Sequence, residues 1–412
     1  MIALGSEHDT ERIAALGAEA ELRFGRFIRE RVNPGADDRD RLGEPLPRAL
    51  VGEAGRLGLL GFSLPRAIGG EGRDKFEWGI VLEEVSRLSR DTGLASVIDV
   101  NVGVAELLFG TGRPALAERY ASPMAAGLFV CPPAAYESRD PFDYLTTACE
   151  VAGGWRLDGN KPFVGGAVFA DAFLVYAKDK ESSDILAFLV ERGDEGVGVD
   201  PLPTMGLRSM GFGSLSLDGV CLPADRLVVG ADALSTMNTY LCNRRLMTAC
   251  SVVGHMRALF DASMAALDDR QRGGRGVLEF PNVQRTVGEM YVALQASQAI
   301  VHRALATTYG TRDPFFDPVS TAAKEFVAEQ AIKIGMAVMN LHGGQGYMRQ
   351  HPWERYMRDA LGLIGGQGAQ ELLLIQLGQH AAFEMKRGCP RDLSDALFSG
   401  PSSPRRWQES DR

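Results

Sequence analysis

The chain has 412 residues, 45% of them hydrophobic and 24% charged, with a formal net charge of −9. That length accommodates two or three domains with a large buried core, and the acidic balance argues against a nucleic-acid binder, which needs a basic excess to neutralise phosphates. The six cysteines (131, 149, 221, 242, 250 and 389) form no CxxC pair, so neither a disulfide framework nor a zinc site is expected and a reduced cytoplasmic setting fits.

The N-terminal "MIALGSEHDTER" has early charges and no apolar core, so no signal peptide is expected. No apolar run is read as approaching the roughly 20 residues that span a bilayer. Up to residue 126 the pattern is helical. "ERIAALGAEAELRFGRFIRERV" and "LPRALVGEAGRLGLLGF" repeat apolar residues at spacings of three and four, and "SLPRAIGGEG" breaks the run before "DKFEWGIVLEEVSRLSR". From 127 to 236 short β-prone runs such as "FADAFLVYAKD" and "DILAFLVERG" alternate with Gly/Asp turns, which predicts an antiparallel, barrel-like β domain. From 237 to 385 long helical periodicity returns, and 386–412 is polar and Pro/Ser-rich, which predicts a disordered tail.

One helical break stands out. "RDALGLIGGQGAQEL", Arg358 to Leu372, carries four glycines and the isolated amide Gln367. Glycine weakens a helix and lets backbone pass close to a ligand. In "HGGQGY" the pair Gly343 and Gly344 offers the same freedom, and its N–H groups suit ligand oxygens. The histidines show no ligand spacing, so no metal is expected.

Five segments in register resemble the acyl-CoA dehydrogenase flavoprotein family over residues 45 to 385. They are "LGLLGFSLPRAIGGEG", "WRLDGNKPFVGGAVFADAFLVYAK", "MGLRSMGFGSLSLDGVCLPADRLVV", "DDRQRGGRGVLEFPNVQ" and "NLHGGQGYMRQHPWERYMRDALGLIGGQGAQEL". The resemblance implies an α+β multidomain fold with an N-terminal helical domain, a middle β domain and a C-terminal four-helix bundle. It also implies a homo-oligomer, dimer or tetramer, with FAD between β domain and bundle and part of its site supplied by a neighbouring subunit. Carried over by position, Arg270 contacts the FAD diphosphate, and Gly343, Gly344, Phe163, Gly165 and Gly368 belong to the cofactor site. Gly366 and Arg244 fall among substrate-binding positions. Arg358 and Asp359 match the family's Arg-Asp pair, read here as an ion pair within their own segment, and His342 is read as a packed or capping residue.

The same resemblance exposes departures. The family removes an α-proton from an acyl thioester with a Glu that falls on Gln367, and an amide cannot act as a base. The alternative Glu position, on an earlier helix, falls on Arg244. The flavin-contacting "TEPxAGSD" corresponds to Pro133–Asp140, which lacks its hydroxyls, "WIT" to Phe163-Val164-Gly165, and "FQ" to Phe280-Pro281. Three readings stay open: a flavoenzyme on an acyl thioester (CoA or carrier-protein bound) with another carboxylate as base, Glu371, Glu137 or Asp140; different flavin chemistry in which Gln367 orients a carbonyl; or a silent subunit that pairs with an active paralogue. The electron acceptor is not readable.

Overall fold

The computed structural model describes residues 7–137, 143–307, 316–363 and 365–387. Asp140 and the expected tail beyond 387 lie outside the described residues. The first part of the chain is helical: α1 (Glu7–Phe27), α2 (Ala36–Leu42), α3 (Arg48–Arg56), α4 (Lys75–Leu88), α5 (Thr92–Gly110) and the short α6 (Pro114–Leu116) and α7 (Ser122–Ala125). The Pro/Gly break precedes α4, whose start is fixed by a capping box in which Asp74 and Glu77 satisfy each other's backbone N–H. α5 corrects the sequence reading of apolar runs: it has 19 residues and is long and apolar enough to cross a membrane, yet 72% of its apolar window is buried inside the protein. It is a core helix.

Eight strands follow: β1 (Pro133–Ala134), β2 (Thr147–Val151), β3 (Gly154–Val164), β4 (Ala172–Asp179), β5 (Ile185–Glu191), β6 (Val197–Pro201), β7 (Gly213–Pro223) and β8 (Leu227–Val229). The main path is β6-β7-β3-β2-β4-β5-β8, with β1 added on β4. The sequence predicted antiparallel pairing throughout. Most ladders are, but β1 and β2 both run parallel to β4, so the sheet is mixed. β4 and β5 are buried on both faces. Leu174, Tyr176 and Leu189 join the helical core, while Phe173, Val175 and Phe188 pack inside the sheet's own cluster.

The last part is α8 (Ala233–Asp268), a small hairpin of β9 (Gln271–Arg272) and β10 (Arg275–Gly276), α9 (Pro281–Thr307), α10 (Pro318–His342), α11 (Gly344–Tyr347), α12 (Trp353–Gly362) and α13 (Gln370–Arg387). The helical, β, helical order follows the expectation. α8 crosses α4 so closely that a Cβ on Gly254 would lie 2.0 Å from the Glu83 carbonyl oxygen. That approach fuses the N-terminal helices to the C-terminal ones.

Candidate active site

The glycine break lies between α12 and α13. Gln367 adopts φ +60° and Gly368 φ +119°. For Gln367 this left-handed backbone costs roughly 1–2 kcal/mol, so something must hold it. Two cations do. Arg245 of α8 donates from Nε to the Gln367 carbonyl at 3.1 Å, and Lys324 of α10 lies 3.5 Å from the Gly368 carbonyl. Arg245 also reaches the Thr321 hydroxyl at 3.4 Å. Burial lowers the Lys324 pKa, and its partner Glu325 at 3.0 Å opposes the shift. Arg245 is a residue the sequence reading missed, although it adjoins Arg244.

Glu371 is exposed at the start of α13. With Gly365, Ala369, Gln370, Leu374 and Ile375 it lines an open concavity of about 690 Å³, and it makes no ion pair among the described residues. Glu137, one of the candidate bases, is committed elsewhere. Its carboxylate is clamped by Lys161, the two side chains being 1% and 0% exposed. Glu137 also accepts the Leu145 backbone N–H at 2.9 Å, and Lys161 donates to the carbonyls of Ala135 and Tyr176. Burial holds the Lys161 pKa down at about 8. A carboxylate so committed is a strut, not a base.

Arg244 is corrected as well. Its side chain is fully buried, paired with Asp99 and, at 3.2 Å, with Glu106, both on α5, and it also donates to the Asp99 carbonyl at 2.8 Å. It bolts α8 to α5. The Arg358–Asp359 reading also changes. Arg358 pairs with Asp40 at 2.6 Å and Glu354 at 2.5 Å, while Asp359 accepts from Thr92 Oγ1 at 2.5 Å and the Leu207 N–H at 2.6 Å. Burial still raises the Asp359 pKa.

Of the expected flavin positions, Gly343 and Gly344 have open space beside them. A Cβ built on Gly343 (φ +58°) or Gly344 would meet no heavy atom within 4 Å, whereas one on Gly346 would strike the Met339 carbonyl at 2.1 Å. The first two glycines therefore leave room beside the backbone, and the third is a packing requirement. Arg270 Nη1 is buried without a partner among the described residues. An orphaned cationic donor within electrostatic reach of His342, the residue before Gly343, fits a diphosphate. His342 is packed as expected: it stacks on Trp353 at 4.0 Å and 14° and contacts Ser263 Oγ at 3.0 Å. Burial, with Arg270 and His351 nearby, lowers its pKa to about 4. Phe163 is 56% exposed and stacks on Phe212 at 4.6 Å. Gly165 is pressed by Met210, whose Cε would lie 2.5 Å from a Cβ there.

A second cavity, with about 50 Å³ of room, lies among α5, α8, α10 and α12, next to the glycine loop. Ala95, Ser96 and Asp99 face Met247, Thr248, Ser251 and His255 across it, with Leu363 closing the end nearest the loop. Burial pushes the Asp99 pKa up to about 6 against the pull of Arg244, and burial with Arg355 lowers that of His255 to about 3. The sequence reading named none of these lining residues. Their spacing of three and four on two helices was visible, but which helices face each other was not.

Three acyl-CoA dehydrogenase family models, the N-terminal, middle and C-terminal domains, match residues 21–128, 139–220 and 234–382 in that order. The chain is 27% identical over 365 residues to benzylmalonyl-CoA dehydrogenase of Aromatoleum aromaticum, covering 87% of this chain and 96% of that one. Butyryl-CoA dehydrogenase of Megasphaera elsdenii superposes with a TM-score of 0.84 at 21% identity, covering 93% of this chain and 100% of that one. PigA, solved with FAD and proline, superposes at 0.83 with 19% identity, covering 93% and 100%. With its three domains in the same order and the same fold throughout, the chain belongs to the acyl-CoA dehydrogenase family and is an oxidoreductase of that type.

Proposed function

We propose that the protein is an FAD-dependent oxidoreductase acting on an acyl thioester, carried by CoA or by a carrier protein, with a proton acceptor other than residues 367 and 244. The observation that carries this reading is the glycine loop at the family's base position, held in shape by Arg245 and Lys324.

The residues present fit FAD. Arg270, Gly343 and Gly344 would hold the diphosphate, and Phe163, Gly165 and Gly368 would border the ring system. Held there, FAD would supply the acceptor for a hydride from the acyl β-carbon. The chain's part is to place the thioester, shield it from water and take up the α-proton. Glu371 is the acceptor in this reading: of the candidate carboxylates described, it borders a cavity beside the loop and stays out of ion pairs. Exposed apolar side chains on α9 and α13, Tyr291, Val292, Leu374, Ile375 and Phe383, support assembly into a homo-oligomer.

The purified protein is expected to carry the blue-region absorbance of oxidised flavin and to lose it anaerobically on mixing with an acyl thioester. A protein that stays colourless after reconstitution with FAD overturns the reading. Glu371→Gln is expected to slow the bleaching by at least about 100-fold; unchanged bleaching removes Glu371 from the role.

A further inference from the structure

Two cations of different kinds hold the glycine loop. Arg245 donates to the Gln367 carbonyl at 3.1 Å, and Lys324 lies 3.5 Å from the Gly368 carbonyl. A guanidinium keeps its charge at any working pH, whereas an ammonium gives up its proton readily when buried. The loop therefore has one permanent hold and one that titrates. Gly368 stands just before α13, so the titrating hold also fixes where that helix, and Glu371 in its first turn, begins.

Glu325 decides the state of the second hold. Its Oε1 accepts from Lys324 Nζ at 3.0 Å, and the Lys324 and Glu325 side chains are 2% and 5% exposed. Consecutive side chains leave a helix about 100° apart, so the pair forms because the long Lys324 stem bends across α10. Glu325 Oε2 is buried and has no partner among the described residues, which leaves Lys324 as the carboxylate's one ion-pair partner there. Burial lowers the Lys324 pKa from 10.5, Glu325 opposes that shift and Arg245 adds to it. Of the helices packed against α10 (α8, α9, α11, α12 and α13), only α8 brings a charged group that acts on Lys324 among the described residues, and that group is Arg245. Tyr136, after β1, acts in turn on Arg245. Without Glu325, Lys324 would be left with burial and a second cation, both of which favour the neutral amine.

We propose that Glu325 is a positioning residue: by keeping Lys324 charged it holds the Gly368 carbonyl, and with it the loop and the start of α13, in the geometry that proton transfer from the thioester needs. The proposal rests on the reading of the protein as an acyl-thioester oxidoreductase. In it neither Glu325 nor Lys324 touches the substrate, and both act through the backbone of the loop. The charge is present below the Lys324 pKa and is lost as pH rises through it, so the reaction has an alkaline limit whose place Glu325 sets.

Two readouts on the flavin-loaded protein test this. NMR titration of isotope-labelled lysine Cε follows Lys324 directly, since the chain has seven lysines and Lys324→Arg identifies the signal. Anaerobic flavin bleaching by butyryl-CoA or octanoyl-CoA over the same pH range follows the reaction. In the unaltered protein bleaching is expected to slow about tenfold as pH rises through the Lys324 midpoint. Glu325→Gln keeps the shape and removes the charge, and it is expected to move both midpoints down together by about one pH unit or more. Lys324→Arg stays charged and is expected to abolish the alkaline loss. A side chain that only supported the fold would change the rate equally at every pH. A bleaching midpoint or a lysine midpoint that Glu325→Gln leaves in place overturns the proposal while the acyl-thioester reading stands. So does an alkaline loss that survives in Lys324→Arg. Flavin that neither thioester bleaches at any pH overturns both.

Discussion

Gln367 and its carbonyl behave differently. The carbonyl is fixed by Arg245 at 3.1 Å while the side chain is an amide that cannot take a proton. If the loop aims position 367 at the thioester, Gln367→Glu supplies a base, and general-base catalysis is worth about 10²- to 10⁴-fold. In the Glu371→Gln background, which lacks the proposed acceptor, flavin bleaching by butyryl-CoA is therefore expected to accelerate at least 100-fold on adding Gln367→Glu, and no acceleration means that the side chain does not reach the acyl α-carbon. His342 gives a prediction of a different kind. Its pKa falls from 6.5 to about 4 on folding, chiefly through burial. Below 6.5 the unfolded chain takes up a proton that the folded chain refuses until about 4, so stability is lost as pH falls through that window. Urea unfolding at a series of pH values is expected to show this loss and to show it reduced in His342→Asn. An equally steep acid limb in the variant places the effect elsewhere.

Between elements, the buried ion pairs set what a substitution costs. Arg244 joins α8 to α5 across 145 residues of sequence. Removing it in Arg244→Leu strands Asp99 in the core, while the partly exposed Glu106 keeps Lys75 at 3.7 Å, and the loss is expected to cost about 3–5 kcal/mol. Replacing Asp99 by Leu as well is expected to recover part of that loss, because one stranded charge goes with it. Denaturant unfolding of the two proteins measures the difference, and a double variant less stable than the single one contradicts the account. This pair also marks the limit of reading the sequence. Helical periodicity, the β-prone runs and the glycine break are local patterns, and they located the elements and the loop. Glu137 looked like a free carboxylate because its clamp, Lys161, lies 24 residues away on β3. Arg358 and Asp359 looked like partners because they are adjacent, yet neighbours on a helix point about 100° apart: Arg358 pairs with Glu354 one turn back and with the distant Asp40, and Asp359 with Thr92 and Leu207. Local pattern gives elements; side-chain commitment depends on which elements meet.

At the scale of the molecule, three regions meet at one carboxylate. Asp359 of α12 binds Thr92 at the start of α5 and the backbone of Leu207 between β6 and β7. Beside it Asp91 pairs with Arg39 at 2.7 Å and accepts from Ser209, so helices before and after the sheet are tied to the sheet's own loops. The Thr92 contact to Asp359 is buried and the Leu207 contact partly so, and both need an acceptor. Asp359→Asn keeps one acceptor and turns an NH₂ group toward a donor, so it is expected to destabilise the protein by about 1–3 kcal/mol. Thr92→Val removes the same hydroxyl contact from the other side. If that contact joins the regions, the two substitutions share a loss, and the double variant is expected to be more stable than the sum of the single effects implies, by more than about 0.5 kcal/mol. Denaturant unfolding of the four proteins closes the cycle. Simple additivity would mean that Thr92 and Asp359 are neighbours without energetic coupling, and that the junction is carried by the Leu207 and Arg39 contacts alone.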